Sequence, residues 1–79
     1  MKIQVAGPGC ARCNTLEQNV IEAVTELGIE ASISKLKDFK EYAKYGILMT
    51  PALVVDGKVV VTGKVPSVED LKKMLSEGR

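Results

Sequence analysis

Histidine is absent from the 79 residues, and only two cysteines are present. Two thiolates without an imidazole cannot close a Cys/His zinc site unless carboxylates, water or a second subunit complete it. Aromatic side chains are limited to one phenylalanine and two tyrosines, so any core must be mainly aliphatic. Net charge is equally scarce: eleven basic against ten acidic residues leave +1, too little to recommend a nucleic acid or an anionic membrane surface as partner. No apolar run approaches the length of a transmembrane helix, and the opening MKIQVAGPGC has too short an apolar stretch for a secretory leader. A cytoplasmic protein is therefore expected, with neither membrane nor nucleic acid among its partners. The length fits one domain over residues 1–79, close to the lower size at which an apolar core holds a fold unaided.

The apolar residues that are present follow an alternating pattern. Lys2 to Ala6 reads as a short strand, broken by Gly7-Pro8-Gly9. Cys13, Leu16, Val20, Val24 and Leu27 recur at steps of three and four, which predicts a helix over Ala11 to Leu27 stopped by Gly28. That stripe takes in Cys13 and leaves out Cys10. Ile29, Ala31 and Ile33 alternate with polar neighbours, predicting a strand over Ile29 to Leu36 that suits a sheet edge. Asp38 can cap a short helix with Phe39, Tyr42 and Ala43 on one side, ended by Gly46. Ala52 to Val55 and Lys58 to Thr62 flank Asp56-Gly57, a two-residue hairpin turn. Ser67 opens a last helix whose inward stripe is Val68, Leu71, Met74 and Leu75. Tyr42 and Tyr45 read as packing residues, and Lys35, Lys37, Lys40 and Lys44 as a solvated face. The order is βαβαββα, whose first two strands must be parallel and joined by a right-handed crossover, with the hairpin extending the sheet.

Both cysteines lie in GPGCARC. A permanent staple explains them poorly, because cytosolic thiols stay reduced and so short a loop constrains the unfolded chain little. At the tip of a helix, Cys10 meets unpaired backbone N–H groups and the positive end of the helix dipole, which favour its thiolate. Such placement, aided by a cation such as Arg12, brings a thiol from about 8.5 into the range of roughly 3.5–7.5. Cys10 is thus the candidate nucleophile and Cys13, almost one turn further, the candidate resolving thiol. Thr50-Pro51 just before the third strand is a second candidate feature. A cis bond there would expose the Thr50 backbone beside the thiols, where an extended substrate segment can pair as an added strand. Two other functions fit a CxxC pair: a carrier of soft ions such as Cu(I), and an interaction module that docks peptides without turnover. Carriers of that type open with a strand, a glycine-rich loop and a CxxC helix but continue as β-α-β-β-α-β.

The order GCARC, Thr50-Pro51, VVDGKVV and Gly63 before a last helix resembles the thioredoxin-like superfamily. It is most similar to the small archaeal and bacterial thioredoxin/glutaredoxin-like redox-active disulfide proteins. The resemblance covers nearly the whole chain. It implies an α/β fold with a four-stranded mixed sheet in the order 2-1-3-4, flanked by three helices, the first and third on one face, with the cysteines beside Pro51. It also implies a protein disulfide oxidoreductase without a cofactor, acting as a monomer on disulfide-containing proteins and recharged by a thioredoxin-reductase-type electron donor. Four positions depart from larger members of the superfamily. Gly9 stands where they carry an aromatic residue, Ala11-Arg12 where they carry Gly-Pro, and Gln4 where they carry a buried acid, leaving Glu17 and Lys64 as candidate proton-transfer groups. The tyrosine with which glutaredoxins contact glutathione is missing from the motif.

Overall fold

The computed structural model describes residues 1–7 and 11–77. Cys10, with Pro8 and Gly9, lies outside the described residues, as do the last two. The elements are β1 (Lys2–Ala6), α1 (Ala11–Leu27), β2 (Ser32–Leu36), α2 (Phe39–Tyr45), β3 (Ala52–Val55), β4 (Lys58–Thr62) and α3 (Val68–Glu77). They form a four-stranded sheet in the order β2-β1-β3-β4, with β1 parallel to β2 and antiparallel to β3. The last described element is a helix and α2 lies between β2 and β3, which is not the β-α-β-β-α-β order of the soft-ion carriers.

Strand periodicity divides the core into two layers. Ile3, Val5 and Leu53 face α1 and α3, where they meet Leu16, Val20, Ala23, Leu71 and Leu75. Ala6, Ala52 and Val54 face the other way, against Leu36, Tyr42 and Ile47. The two central strands are covered on both faces, which is why β3 reads as a continuous apolar run while the edge strand β2 alternates. Lys72 of α3 reaches Glu26 of α1 at 3.0 Å, and Asn19 of α1 donates to the carbonyl of Pro66 at 3.0 Å, so α1 is tied both to α3 and to the segment leading into it. Among the described residues no helix is long and apolar enough to cross a membrane.

Three details differ from the sequence expectation. β2 begins at Ser32 rather than Ile29, because the amides of Gly28 and Ile29 are still engaged by Thr25 and Val24 of α1 at 3.2 and 3.3 Å. This closure needs a left-handed residue, supplied by Gly28 at φ 66°. In α2 only Tyr42 is buried, whereas Ala43 is exposed and Phe39 is 77% exposed, its ring standing edge-on to Tyr42 at 5.5 Å. Seven residues make two turns, too few to bury a broad stripe. Third, β3 and β4 slip register between Leu53 and Val54, leaving Val60 outside the pairing and exposed.

The expected cap and turn chemistry is in place. The Asp38 carboxylate accepts from the Lys40 amide at 2.9 Å, Ser67 Oγ accepts from the Asp70 amide at 3.2 Å, and Asp56 and Gly57 both take positive φ in the hairpin turn. Asp38→Ala should lower stability to urea by about 1 kcal/mol. An unchanged urea midpoint would mean that the side chain contributes nothing to starting α2.

Candidate active site

Cys13 is the third residue of α1, on the same face as Leu16 and Val20, and is 4% exposed. It sits over the end of β1. Gly7, the residue after that strand, is buried, and a Cβ built on it would collide with Cys13 Sγ and lie 2.9 Å from Cys13 Cβ. The missing side chain at Gly7 is thus what lets the first turn of α1 settle onto the strand end.

Arg12, the preceding helical residue, is exposed, and its Nη2 donates to the Gly63 carbonyl at 3.1 Å. The Gly63 amide in turn donates to the Pro51 carbonyl at 2.8 Å. Two hydrogen bonds through one glycine therefore connect the start of α1 to the segment before β3. The Thr50–Pro51 bond is cis, Pro51 is buried and Thr50 half-buried. The residues leading into it are open to solvent: Leu48 is 94% and Met49 64% exposed. The sulfur and Cε of Met49 lie over Gly63, within 3.5 Å of where a Cβ would stand. A groove between β4 and α3, lined by Val60, Lys64, Asp70 and Lys73, contains neither Cys13 nor Thr50 nor Pro51.

Of the two candidate proton-transfer side chains, one is ion-paired and the other faces solvent. Glu17 pairs with Lys35 of β2 at 3.3 Å, Lys64 is exposed, and Gln4 Oε1 accepts from the Tyr45 hydroxyl at 3.2 Å. A different group reaches the neighbourhood of Cys13. The Tyr42 hydroxyl is buried and donates to the Leu36 carbonyl at 2.7 Å, and the same carbonyl accepts the Gly7 amide at 3.0 Å. Burial raises the phenol above its usual range; the Gly7 amide offsets part of this, and the nearby Cys13 and Asp38 push it further up. Tyr42 therefore stays protonated through the neutral range. The Tyr42 ring lies in the core, as its helical spacing predicts, whereas the partner of its hydroxyl is set by the fold. A buried tyrosine must find a polar partner for its tip, and that signal does not say which one.

Comparison with known proteins agrees with this architecture. The thioredoxin domain family profile matches residues 1–76. A thioredoxin of Methanothermobacter thermautotrophicus is 47% identical over 76 residues, covering 96% of this chain and 99% of the relative. A thioredoxin of Methanocaldococcus jannaschii is 44% identical over 73 residues, covering 92% of this chain and 84% of the relative. Since the matched segment runs from β1 into the last turn of α3, carrying the mixed sheet and all three helices with it, the chain belongs to the thioredoxin family.

Proposed function

We propose that the protein reduces protein disulfides through Cys10 and Cys13, Cys10 acting as nucleophile and Cys13 as resolving thiol. The broader class, thiol–disulfide oxidoreductase, follows from the family. The assignment of roles is supported chiefly by one observation: Cys13 is 4% exposed, on the inward face of the first turn of α1. A protein-sized substrate cannot reach such a sulfur first. Cys10 directly precedes Ala11, where α1 begins, and the unpaired amides and dipole of a helix start favour a thiolate there.

In the cycle, the Cys10 thiolate attacks one sulfur of the partner's disulfide, that bond breaks, and the departing partner sulfur takes up a proton. Cys13 then gives up its proton and attacks Cys10 Sγ, breaking the mixed disulfide and forming Cys10–Cys13. The second partner sulfur leaves as a thiol. Two electrons have passed from the dithiol to the partner, and a thioredoxin-reductase-type donor returns them. No cofactor within the chain is required. Thr50 and Pro51 form the docking segment for the partner's extended backbone, a role supported by the link of Pro51 through Gly63 to Arg12. Arg12 adds positive charge near the thiols, weakened by its exposure. A monomer in the cytoplasm completes the reading, since that compartment keeps the dithiol form available.

Incubation of the pre-reduced protein with insulin tests this. One insulin disulfide should be opened per molecule, with loss of both thiols of the protein. Iodoacetamide applied below neutral pH should label Cys10 before Cys13. Insulin left intact would remove the redox reading, and earlier labelling of Cys13 would reverse the two roles.

A further inference from the structure

The guanidinium of Arg12 is exposed, yet it is anchored. Its Nη2 donates to the Gly63 carbonyl at 3.1 Å. Gly63 is itself held, because its amide donates to the Pro51 carbonyl at 2.8 Å and Met49 packs over its Cα, with Cε 3.1 Å from where a Cβ would stand. A guanidinium carries five N–H donors in one plane, so this anchor restricts its orientation and leaves most of its donors for another acceptor. Among the described residues Arg12 enters no ion pair. The first turn of α1 holds no acidic residue, and the next acid along the helix, Glu17, is paired with Lys35. An oriented cation without an anionic partner of its own thus stands in the gap between Cys10 and Cys13, bonded to the residue that holds the Pro51 end of the docking segment. An arginine anchored in this way loses little further freedom on meeting a carboxylate, which its fork can take in two parallel hydrogen bonds.

We propose that Arg12 is a specificity-determining residue, receiving the carboxylate of an aspartate or glutamate beside the partner's reactive cysteine, so that the preferred substrates are disulfides with an acidic flank. This rests on the redox reading above for the disulfide that is selected. An acidic flank otherwise meets the negative charge of the Cys10 thiolate, and a cation two residues along the chain offsets that repulsion. A basic flank meets a fixed like charge instead. The selection is local, because a net charge of +1 is too small to steer acidic partners from a distance. Arg12 takes no part in the electron transfer itself, which stays with the two sulfurs.

The test uses the full chain and symmetric disulfides of a short peptide with a single cysteine, made in versions that differ only in having Glu, Gln or Lys next to it. Pre-reduced protein is mixed with each at low ionic strength and the released peptide thiol is measured. Each rate is divided by that of the same peptide with dithiothreitol, which removes the intrinsic effect of the flank on exchange. The Glu peptide should be reduced about fivefold faster than the Gln peptide, the size set by a solvated ion pair, and the Lys peptide more slowly than either. Arg12→Gln should abolish the preference for Glu over Gln. Because that preference compares substrates of one protein, a general change in folding or in the acidity of Cys10 cancels from it. Lys73→Gln removes the same charge from an exposed position lining the groove between β4 and α3, and should leave the preference in place. Salt at about 1 M should weaken it in the unaltered protein. Equal rates for Glu and Gln in the unaltered protein, or a preference that survives Arg12→Gln, overturn the inference. If none of the peptides is reduced, the redox reading falls instead. The same peptides with serine for cysteine then decide whether Arg12 takes a carboxylate: its Nε–H resonance should shift with the Glu peptide and not with the Gln peptide, and no shift with either overturns the inference.

Discussion

Cys13→Ser should accumulate a covalent one-to-one adduct with a disulfide substrate, while Cys10→Ser forms none. The asymmetry follows from the position of the inner sulfur. With Cys13 buried, the proposed roles give first attack to Cys10, so its removal should cut turnover to below about one hundredth of the unaltered rate. Removal of Cys13 leaves that first attack intact. The mixed disulfide then persists, because a serine hydroxyl at the inner position is too weakly acidic to displace a thiolate. Mass spectrometry of the non-reduced mixture distinguishes the variants directly, and dithiothreitol should release the trapped partner. An adduct formed by Cys10→Ser and not by Cys13→Ser would invert the mechanism. The absence of an adduct from both would leave the soft-ion carrier and the silent module as the surviving readings of the motif.

The fold was legible where local chemistry and burial pointed the same way. The stripe through Cys13, Leu16, Val20 and Val24 placed α1, and Asp56-Gly57 placed the hairpin. Prediction slipped where one element's ending consumes the next element's beginning: Ile29 and Ala31 alternate as a strand should, yet the Ile29 amide still closes α1. The β3–β4 register slip left no trace in a run of three valines, any of which could have been the extra residue. The motif containing Cys10 and Cys13 and the Thr50-Pro51 segment could be picked out from one-dimensional patterns. Their link through Arg12 and Gly63 could not, since it joins residues 51 apart by a side chain that looks like ordinary surface charge. Gly7 raised a similar difficulty. In sequence it is one of two glycines around Pro8, and only the packing separates a turn glycine from one that makes room for sulfur.

Gly7→Ala should be among the most damaging small substitutions, even though it adds one methyl group. The new Cβ would meet Cys13 Sγ and would stand 2.9 Å from Cys13 Cβ, with both residues buried. Neither neighbour is the free end of a flexible chain, so the first turn of α1 must lift from the end of β1. Overpacking of this kind costs about 1–3 kcal/mol, and in a chain this small each kcal/mol lowers Tm by roughly 4–8 °C. The chemical effect should be larger than the thermal one: moving the resolving sulfur by about 1 Å can cost on the order of 10²-fold in rate. Release of the mixed disulfide should therefore slow far more than its formation. Pairing Gly7→Ala with Cys13→Ala separates this cause from general damage to the loop, because deleting the sulfur removes the closest collision. The stability penalty of Gly7→Ala should then fall to less than half, a coupling of the size expected for residues in direct contact. Equal penalties in the two backgrounds would mean that the sulfur is not what forbids a side chain at Gly7, and the account of how α1 seats on β1 would have to be redrawn.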